Sequence, residues 1–99
     1  MGLQMTYTAP DGTMYPQCFV FIATIQLAPS VMDLPSNATL FVNFYADQHS
    51  METGGLPVCQ SSFSPEPSIF YLDGNPFDIG YDYLLTLPEF SGAVIVRDN

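Results

Sequence analysis

The chain has 99 residues, of which 47% are hydrophobic and 11% are charged, and its 10 Asp and Glu residues against 1 Lys or Arg give a formal net charge of −9. A chain of this length has room for one domain, here residues 1–99, with a modest core. Partners rich in phosphate are disfavoured, because nucleic acids and anionic membrane surfaces both attract proteins that carry cations.

The first predicted element is a β-hairpin. Asp11-Gly12, which follows Pro10, supplies the residue types of a tight turn. The arms of the hairpin are predicted at residues 5–8 and 13–15.

A long strand is predicted at residues 17–27, where apolar residues recur with a period of two. One face carries Phe19, Phe21, Ala23, Ile25 and Leu27, and the other carries Cys18, Val20, Ile22, Thr24 and Gln26. The second face becomes polar toward its end. The strand is therefore expected to be buried on both sides at one end only.

The loop predicted at residues 28–37 is rich in Pro, Ser and Asn, with Val31 and Met32 among its apolar exceptions. Apolar side chains in a loop bounded by prolines suggest contact with another molecule. Val31 and Met32 are therefore candidate interface residues.

Three further strands are predicted, at residues 38–47, 56–63 and 68–72, with a loop at residues 48–55. The segment between the last two strands is too rich in proline for ladder pairing.

A helix follows, because Asn75 is a suitable N-cap, Pro76 suits the first helical position and Asp78 favours the helix dipole. Its apolar stripe comprises Phe77, Tyr81, Leu84 and Leu85. Pro88 ends the helix. The last segment, residues 93–97, is predicted as a closing strand or an extended tail.

These elements predict a mainly β fold: a compact antiparallel sandwich or small barrel with about five to seven strands and one C-terminal α-helix. The helix is short and needs a sheet to pack on. It is expected to cover an open end or edge.

Candidate chemistry is sparse. Asp73, Asp78 and Asp82 surround a turn but do not fit the spacing of a calcium loop, so a turn with a helix cap is favoured over a weak cation site. Cys18 and Cys59 are expected to be reduced and packed in the core, although pairing is not excluded by sequence. We therefore expect neither an enzyme nor a metal, cofactor or small-molecule substrate site.

Tyr83 lies two residues after Tyr81 and therefore points to a different side of the helix. With Leu87 and Phe90 it forms a candidate docking surface at the helix and its Pro-ended turn, since interfaces are enriched in aromatic residues. A half-buried tyrosine on a small domain is the equally simple interpretation.

Residues 82–93 (DYLLTLPEFSGA) resemble the C-terminal ending of small proteins encoded among the structural genes of tailed bacteriophages. Their signature is Tyr-x-x-Leu-x-Thr-Leu-Pro-Glu-Phe after a β-rich body, usually with Lys where this chain has Leu85. The residues at 11–16 and 42–47 are similar in layout to that body.

The resemblance implies a non-enzymatic virion component, such as a tail, baseplate, neck or capsid-decoration subunit. Its partners would be other virion proteins and copies of itself, and it would be assembled in the cytoplasm of the bacterial host. One alternative is a small acidic binding module for a basic protein or peptide. A second alternative is a small hydrolase.

Overall fold

A computed structural model describes residues 2–28, 37–71 and 74–97. These ranges form five strands, two α-helices and two short 3₁₀-helices. The strands are β1 (Gly2–Thr8), β2 (Met14–Ala28), β3 (Asn37–Tyr45), β4 (Cys59–Phe63) and β5 (Val94–Val96). The helices are α1 (Gln48–Glu52) and α2 (Pro76–Leu85), with 3₁₀-helices at Pro67–Tyr71 and Pro88–Phe90.

The five strands form one sheet in the order β4-β3-β2-β1-β5, and every neighbouring pair is antiparallel. The predicted mainly β fold with one C-terminal helix is confirmed. The described strands lie in a single sheet with α2 packed on one side, so the helix takes the position that a second sheet has in a sandwich. The closing strand predicted near the C-terminus is β5, which pairs with β1.

The hairpin between β1 and β2 is confirmed, with longer arms than the sequence predicts. Its turn closes through a hydrogen bond from Ala9 N to Thr13 O at 2.8 Å. Gly12 has a φ of 92°, which favours glycine, and Asp11 accepts a hydrogen bond from Thr13 N at 2.9 Å. The turn therefore forms for the reasons that the Asp-Gly pair suggests.

The long strand β2 does not keep one pair of faces. Its register with β3 shifts between Ile22 and Thr24, as in a β-bulge. Before the shift, Cys18, Val20 and Ile22 lie in the core. After the shift, Ile25 packs against the core and pairs with Leu40. The prediction that residues 19–27 hold their odd positions on one face is therefore wrong, because the extra residue reverses the alternation.

Two other sequence predictions need correction. The strand predicted at residues 68–72 is not formed at residues 68–71, because Pro67–Tyr71 is a 3₁₀-helix in which Ile69 N donates to Glu66 O at 3.2 Å; Leu72 lies outside the described residues. The predicted loop at residues 48–55 contains α1, whose N-cap Asp47 accepts a hydrogen bond from Ser50 N at 2.7 Å. Both elements have five residues, which is too short to leave a clear periodic pattern.

Helix α2 begins where the sequence predicts. Asn75 Oδ1 accepts a hydrogen bond from Phe77 N at 2.8 Å, and Pro76 occupies the first turn. Leu87, with φ −87° and ψ 143°, is extended before Pro88, which ends the helical path. Tyr81 and Leu84 are buried, as their positions in the stripe predict.

The helix approaches the sheet closely. A Cβ on Gly80 would lie 2.9 Å from Cδ1 of Ile22 and 3.5 Å from Cδ2 of Leu40, so glycine allows this contact. Next to it, the Tyr81 hydroxyl accepts a hydrogen bond from Ile22 N at 2.9 Å. The buried core cluster comprises Leu3, Met5, Cys18, Val20, Ile22, Leu40, Val42, Phe44, Tyr81, Leu84 and Phe90.

Candidate functional site

Tyr83, the central residue of the predicted docking surface, is half-buried on α2. It lines a groove of about 460 Å³ between α2 and the 3₁₀-helix Pro67–Tyr71, together with Ile69, Ile79, Asp82 and Thr86. Thr86 Oγ1 donates to Tyr83 O at 2.6 Å, which ties down the end of the helix. The described residues that line the groove are mostly apolar, and Asp82 places a carboxylate at its wall.

The other two predicted interface residues on this side have different environments. Leu87 is half-buried and packs against the core. Phe90 is 1% exposed and makes edge contacts with Phe44 and Phe63, at ring-centroid distances of 6.0 and 5.7 Å. Its assignment to an interface is corrected: Phe90 is a core residue, because the sheet covers its ring.

Val31 and Met32, the predicted interface residues of the loop at residues 28–37, lie outside the described residues. Of the five candidate interface residues, Tyr83 and Leu87 are thus the two that the structure places near the surface. They belong to the α2 side of the molecule.

The sheet face opposite α2 is a second surface, for which no pattern in the sequence gives a prediction. Residues paired across neighbouring strands share a face, so Phe41 lies with Thr24 and Ser62 on this side. Phe41 is 41% exposed, and Val94, which pairs with Gln4, is 58% exposed. We call this side the open face.

The open face combines rings with amides. Asn43 Oδ1 accepts a hydrogen bond from Gln60 Nε2 at 3.1 Å, and Asn43 Nδ2 donates to the Tyr45 hydroxyl at 3.3 Å. Phe41, Asn43, Gln60 and Ser62 also line a depression of about 300 Å³ between β3 and β4. Interfaces between proteins are enriched in aromatic residues, which Phe41 and Tyr45 provide on this face.

Part of the open face is covered by a side chain of the protein itself, the ring of Phe19. Its side chain is 0% exposed although its backbone pairs with Gln4 on the open side. A Cβ on Gly2 would lie 2.4 Å from the ring atom Cζ of Phe19, so the ring occupies the space above the glycine. The exposed apolar groups therefore lie around a packed centre.

Strand β4 is an edge of the described sheet, because β3 is its one neighbour in the strand order. Its sequence, CQSSF, contains no charged residue and no proline. Edge strands usually carry charges or prolines that discourage pairing with another chain. Here the prolines at positions 57 and 65 lie outside the strand, which leaves its backbone suited to pairing.

The two cysteines are free thiols. Burial, reinforced by the nearby Cys59, raises the pKa of Cys18 from 9.0 to about 11. The pKa of Tyr7 is also raised, first by its hydrogen bond with Cys59 and then by burial. Cys18 is therefore not placed as an activated nucleophile, since reactive cysteines have a lowered pKa.

The acidic turn before α2 is only partly described, because Asp73 lies outside the described residues. Asp78 Oδ1 lies 3.7 Å from Arg97 Nη1, in an exposed ion pair. In the described part of the chain, no group of three or more His, Cys, Asp or Glu side chains is arranged to hold a metal ion.

Comparison with known proteins gives no family model, no curated protein and no solved structure that matches this chain. In residues 2–28, 37–71 and 74–97, no helix has both the length and the apolar composition needed to cross a membrane. What supports a function is therefore the geometry of the chain itself and the resemblance of residues 82–93.

Proposed function

We propose that the chain is a non-enzymatic structural subunit of a tailed-bacteriophage virion, which works through contacts with other virion proteins and with copies of itself. It is assembled in the bacterial cytoplasm and resides in the virion. The resemblance of residues 82–93 to phage structural proteins supports the proposed location in the virion. The exposed apolar residues of the open face support the proposed action through protein contacts.

The observation that carries the proposal is that Phe41 and Val94 stay exposed on the open face, while the opposite face of the same sheet is packed by α2. Burying the exposed 41% of Phe41 against a partner would remove about 80 Å² of apolar surface, worth about 2 kcal/mol. A subunit repeated in a symmetric assembly recovers this energy in every copy.

Strand β4 borders the open face and adds a second means of contact. Its free edge can pair with a strand of a neighbouring subunit, which would extend the sheet. Backbone pairing of this kind needs no charged side chains. It therefore suits a chain in which Lys and Arg together number 1.

The matched pair Phe41→Ser and Phe77→Ser tests the open face. The two side chains are of the same type and are 41% and 42% exposed, but Phe77 lies on α2, on the other side of the sheet. Phe41→Ser should weaken self-association or binding to a virion protein about 30-fold, the equivalent of about 2 kcal/mol. Phe77→Ser should leave binding within about two-fold of the parent.

Sedimentation velocity over a range of concentrations measures the association, and mass spectrometry of purified virions tests the location. Equal binding by the parent and Phe41→Ser would refute the open face as the contact. Absence of the chain from purified virions would refute the virion role, whatever the result for Phe41.

A second candidate function is an acidic binding module for a basic protein or peptide, which the net charge of −9 favours. A field of this sign speeds the encounter with a cationic partner. Binding to a lysine-rich peptide should then weaken as salt is raised from about 0.05 to 0.5 M, because ions screen the attraction. Salt-independent binding would contradict this role.

A further inference from the structure

A pocket of about 280 Å³ opens beside β4, on the same side of the sheet as α2. Four aromatic residues line it, from β1, β3, β4 and the 3₁₀-helix after α2: Tyr7, Phe44, Phe63 and Phe90. Ser61 and Glu89 add the polar groups of the wall. The pocket lies just below the range of about 300–1,000 Å³ that is usual for the binding sites of drug-sized ligands, which suits a smaller group.

The rings around the pocket are tilted against one another. Tyr7 and Phe44 are 5.1 Å apart between ring centroids at an interplanar angle of 85°. Phe90 is tilted by 67° against Phe44 and by 62° against Phe63. Because neighbouring rings meet edge to face, they do not form a flat stack, and their surfaces bound the pocket from several directions.

Such an arrangement favours a cation. The face of an aromatic ring carries negative potential, and a cation above it gains about 0.5–2 kcal/mol. Glu89 adds a formal negative charge at the pocket wall, and its exposed side chain is free to rotate toward a bound group. The net charge of −9 acts in the same direction over a longer range.

The chemistry of the wall selects the kind of cation. Hard metal ions need six or more oxygen ligands, whereas Glu89 and Ser61 provide few oxygens beside the rings. An alkylammonium group suits the pocket better, because its carbon atoms contact the rings while its charge is balanced by Glu89.

We propose that this pocket binds an alkylammonium cation, with Tyr7, Phe44 and Phe63 contacting its carbon atoms and Glu89 balancing its charge. The group arrives either as the end of a lysine side chain of a protein partner or as a free quaternary amine. The proposal does not depend on a virion role. In a protein complex, however, a partner chain paired with β4 would bring its lysine next to the pocket, since Ser61 and Phe63 of that strand line it.

The test uses chain labelled with ¹³C in the methionine methyl groups. Met5 lines the pocket, whereas Met14 is 63% exposed at the start of β2 and serves as an internal control. Choline, n-butylammonium and the uncharged choline isostere 3,3-dimethyl-1-butanol are titrated separately. Choline represents the quaternary amine and n-butylammonium represents the lysine side chain.

At least one cation should shift the Met5 methyl resonance saturably, leave Met14 unmoved and bind about ten-fold more tightly than the neutral isostere, the equivalent of about 1.4 kcal/mol. Tighter binding of n-butylammonium assigns the pocket to lysine, and tighter binding of choline assigns it to quaternary amines. Equal binding of the neutral isostere, or no saturable shift of Met5, would overturn the proposal.

Two variants separate charge from shape. Glu89→Gln should weaken cation binding about five-fold and leave the isostere unaffected, while Glu66→Gln, the same change at an exposed glutamate that does not line the pocket, should have no effect. Phe63→Leu should weaken both cations by removing one ring. If Glu89→Gln and Glu66→Gln reduce binding equally, net charge and not the pocket attracts the cation, and the proposal fails.

Discussion

Replacing Tyr81 with Phe removes one hydroxyl group from the centre of the contact between α2 and the sheet. Tyr81 is 1% exposed, and its hydroxyl lies 2.9 Å from the backbone nitrogen of Ile22. Ile22 is the last residue before the register shift in β2. The ring of phenylalanine fills the same space, so the substitution tests the hydrogen bond with little change in packing.

The expected loss of stability follows from the burial of both groups. Without the hydroxyl, the N–H of Ile22 loses its acceptor in a site closed to water by α2. An unsatisfied buried donor of this kind reduces the free energy of unfolding by about 1–3 kcal/mol. For a domain of about 100 residues, each kcal/mol lowers the melting temperature by about 4–8 °C, so Tyr81→Phe should lower it by about 4–24 °C.

Urea unfolding followed by circular dichroism measures the free energy, and a thermal scan measures the melting temperature. Tyr83→Phe is the matched control, because it makes the same chemical change two residues away on α2, at a half-buried ring. The control should stay within about 0.5 kcal/mol of the parent. If Tyr81→Phe is as stable as Tyr83→Phe, the hydrogen bond does not hold the helix on the sheet.

Two further changes are expected to have measurable effects. Because the pKa of the Cys18 thiol is raised from 9.0 to about 11, its contribution to stability is complete below about pH 9 and is lost as the pH rises toward 11. The free energy of unfolding measured by urea titration should therefore fall by at most about 2 kcal/mol over this range, and less in Cys18→Ala; an equal fall in both proteins would exclude Cys18 as the cause. Asn75→Ala removes the acceptor 2.8 Å from Phe77 N and should destabilise the protein by about 1 kcal/mol. Asn75→Asp should retain the N-cap hydrogen bond. Equal unfolding midpoints for the two variants would show that this hydrogen bond does not stabilise α2.

The elements that could be predicted from the sequence are those specified by neighbouring residues. Asn75 and Pro76 mark the start of α2, and Pro88 its end, because caps and prolines act within one turn of chain. The Asp11-Gly12 turn is specified in the same way. The 3₁₀-helix at Pro67–Tyr71 was missed because its apolar residues match a short strand equally well.

The faces of β2 could not be predicted, because a bulge depends on the partner strand. The alternation in residues 18–27 fits an uninterrupted strand, and the shift between Ile22 and Thr24 appears only in the register with β3. Its consequence is long-range: Ile22 meets Tyr81 of α2, 59 residues away in sequence, and Ile25 joins the core. Tertiary contacts decide which side chains are inside.

The ending Leu87-Pro88-Glu89-Phe90 shows why the candidate site was only partly predictable. Pro88 stops α2 and begins a 3₁₀-helix, in which consecutive residues are turned by about 120° from each other. Glu89 and Phe90 therefore point in different directions. Phe90 enters the core between Phe44 and Phe63, and this contact fixes the turn against the sheet.

Once Phe90 is fixed, Glu89 is held at the wall of the aromatic pocket and remains exposed. The motif that resembles phage proteins thus contains two side chains in different environments: its phenylalanine is buried in the core, and its glutamate carries the charge at the wall of the proposed binding pocket. The sequence predicts a contact at this segment and assigns it to the ring of Phe90. Since the partners of Phe90 come from β3 and β4, only the folded chain shows that the ring is buried and that the carboxylate of Glu89 stays exposed beside the pocket.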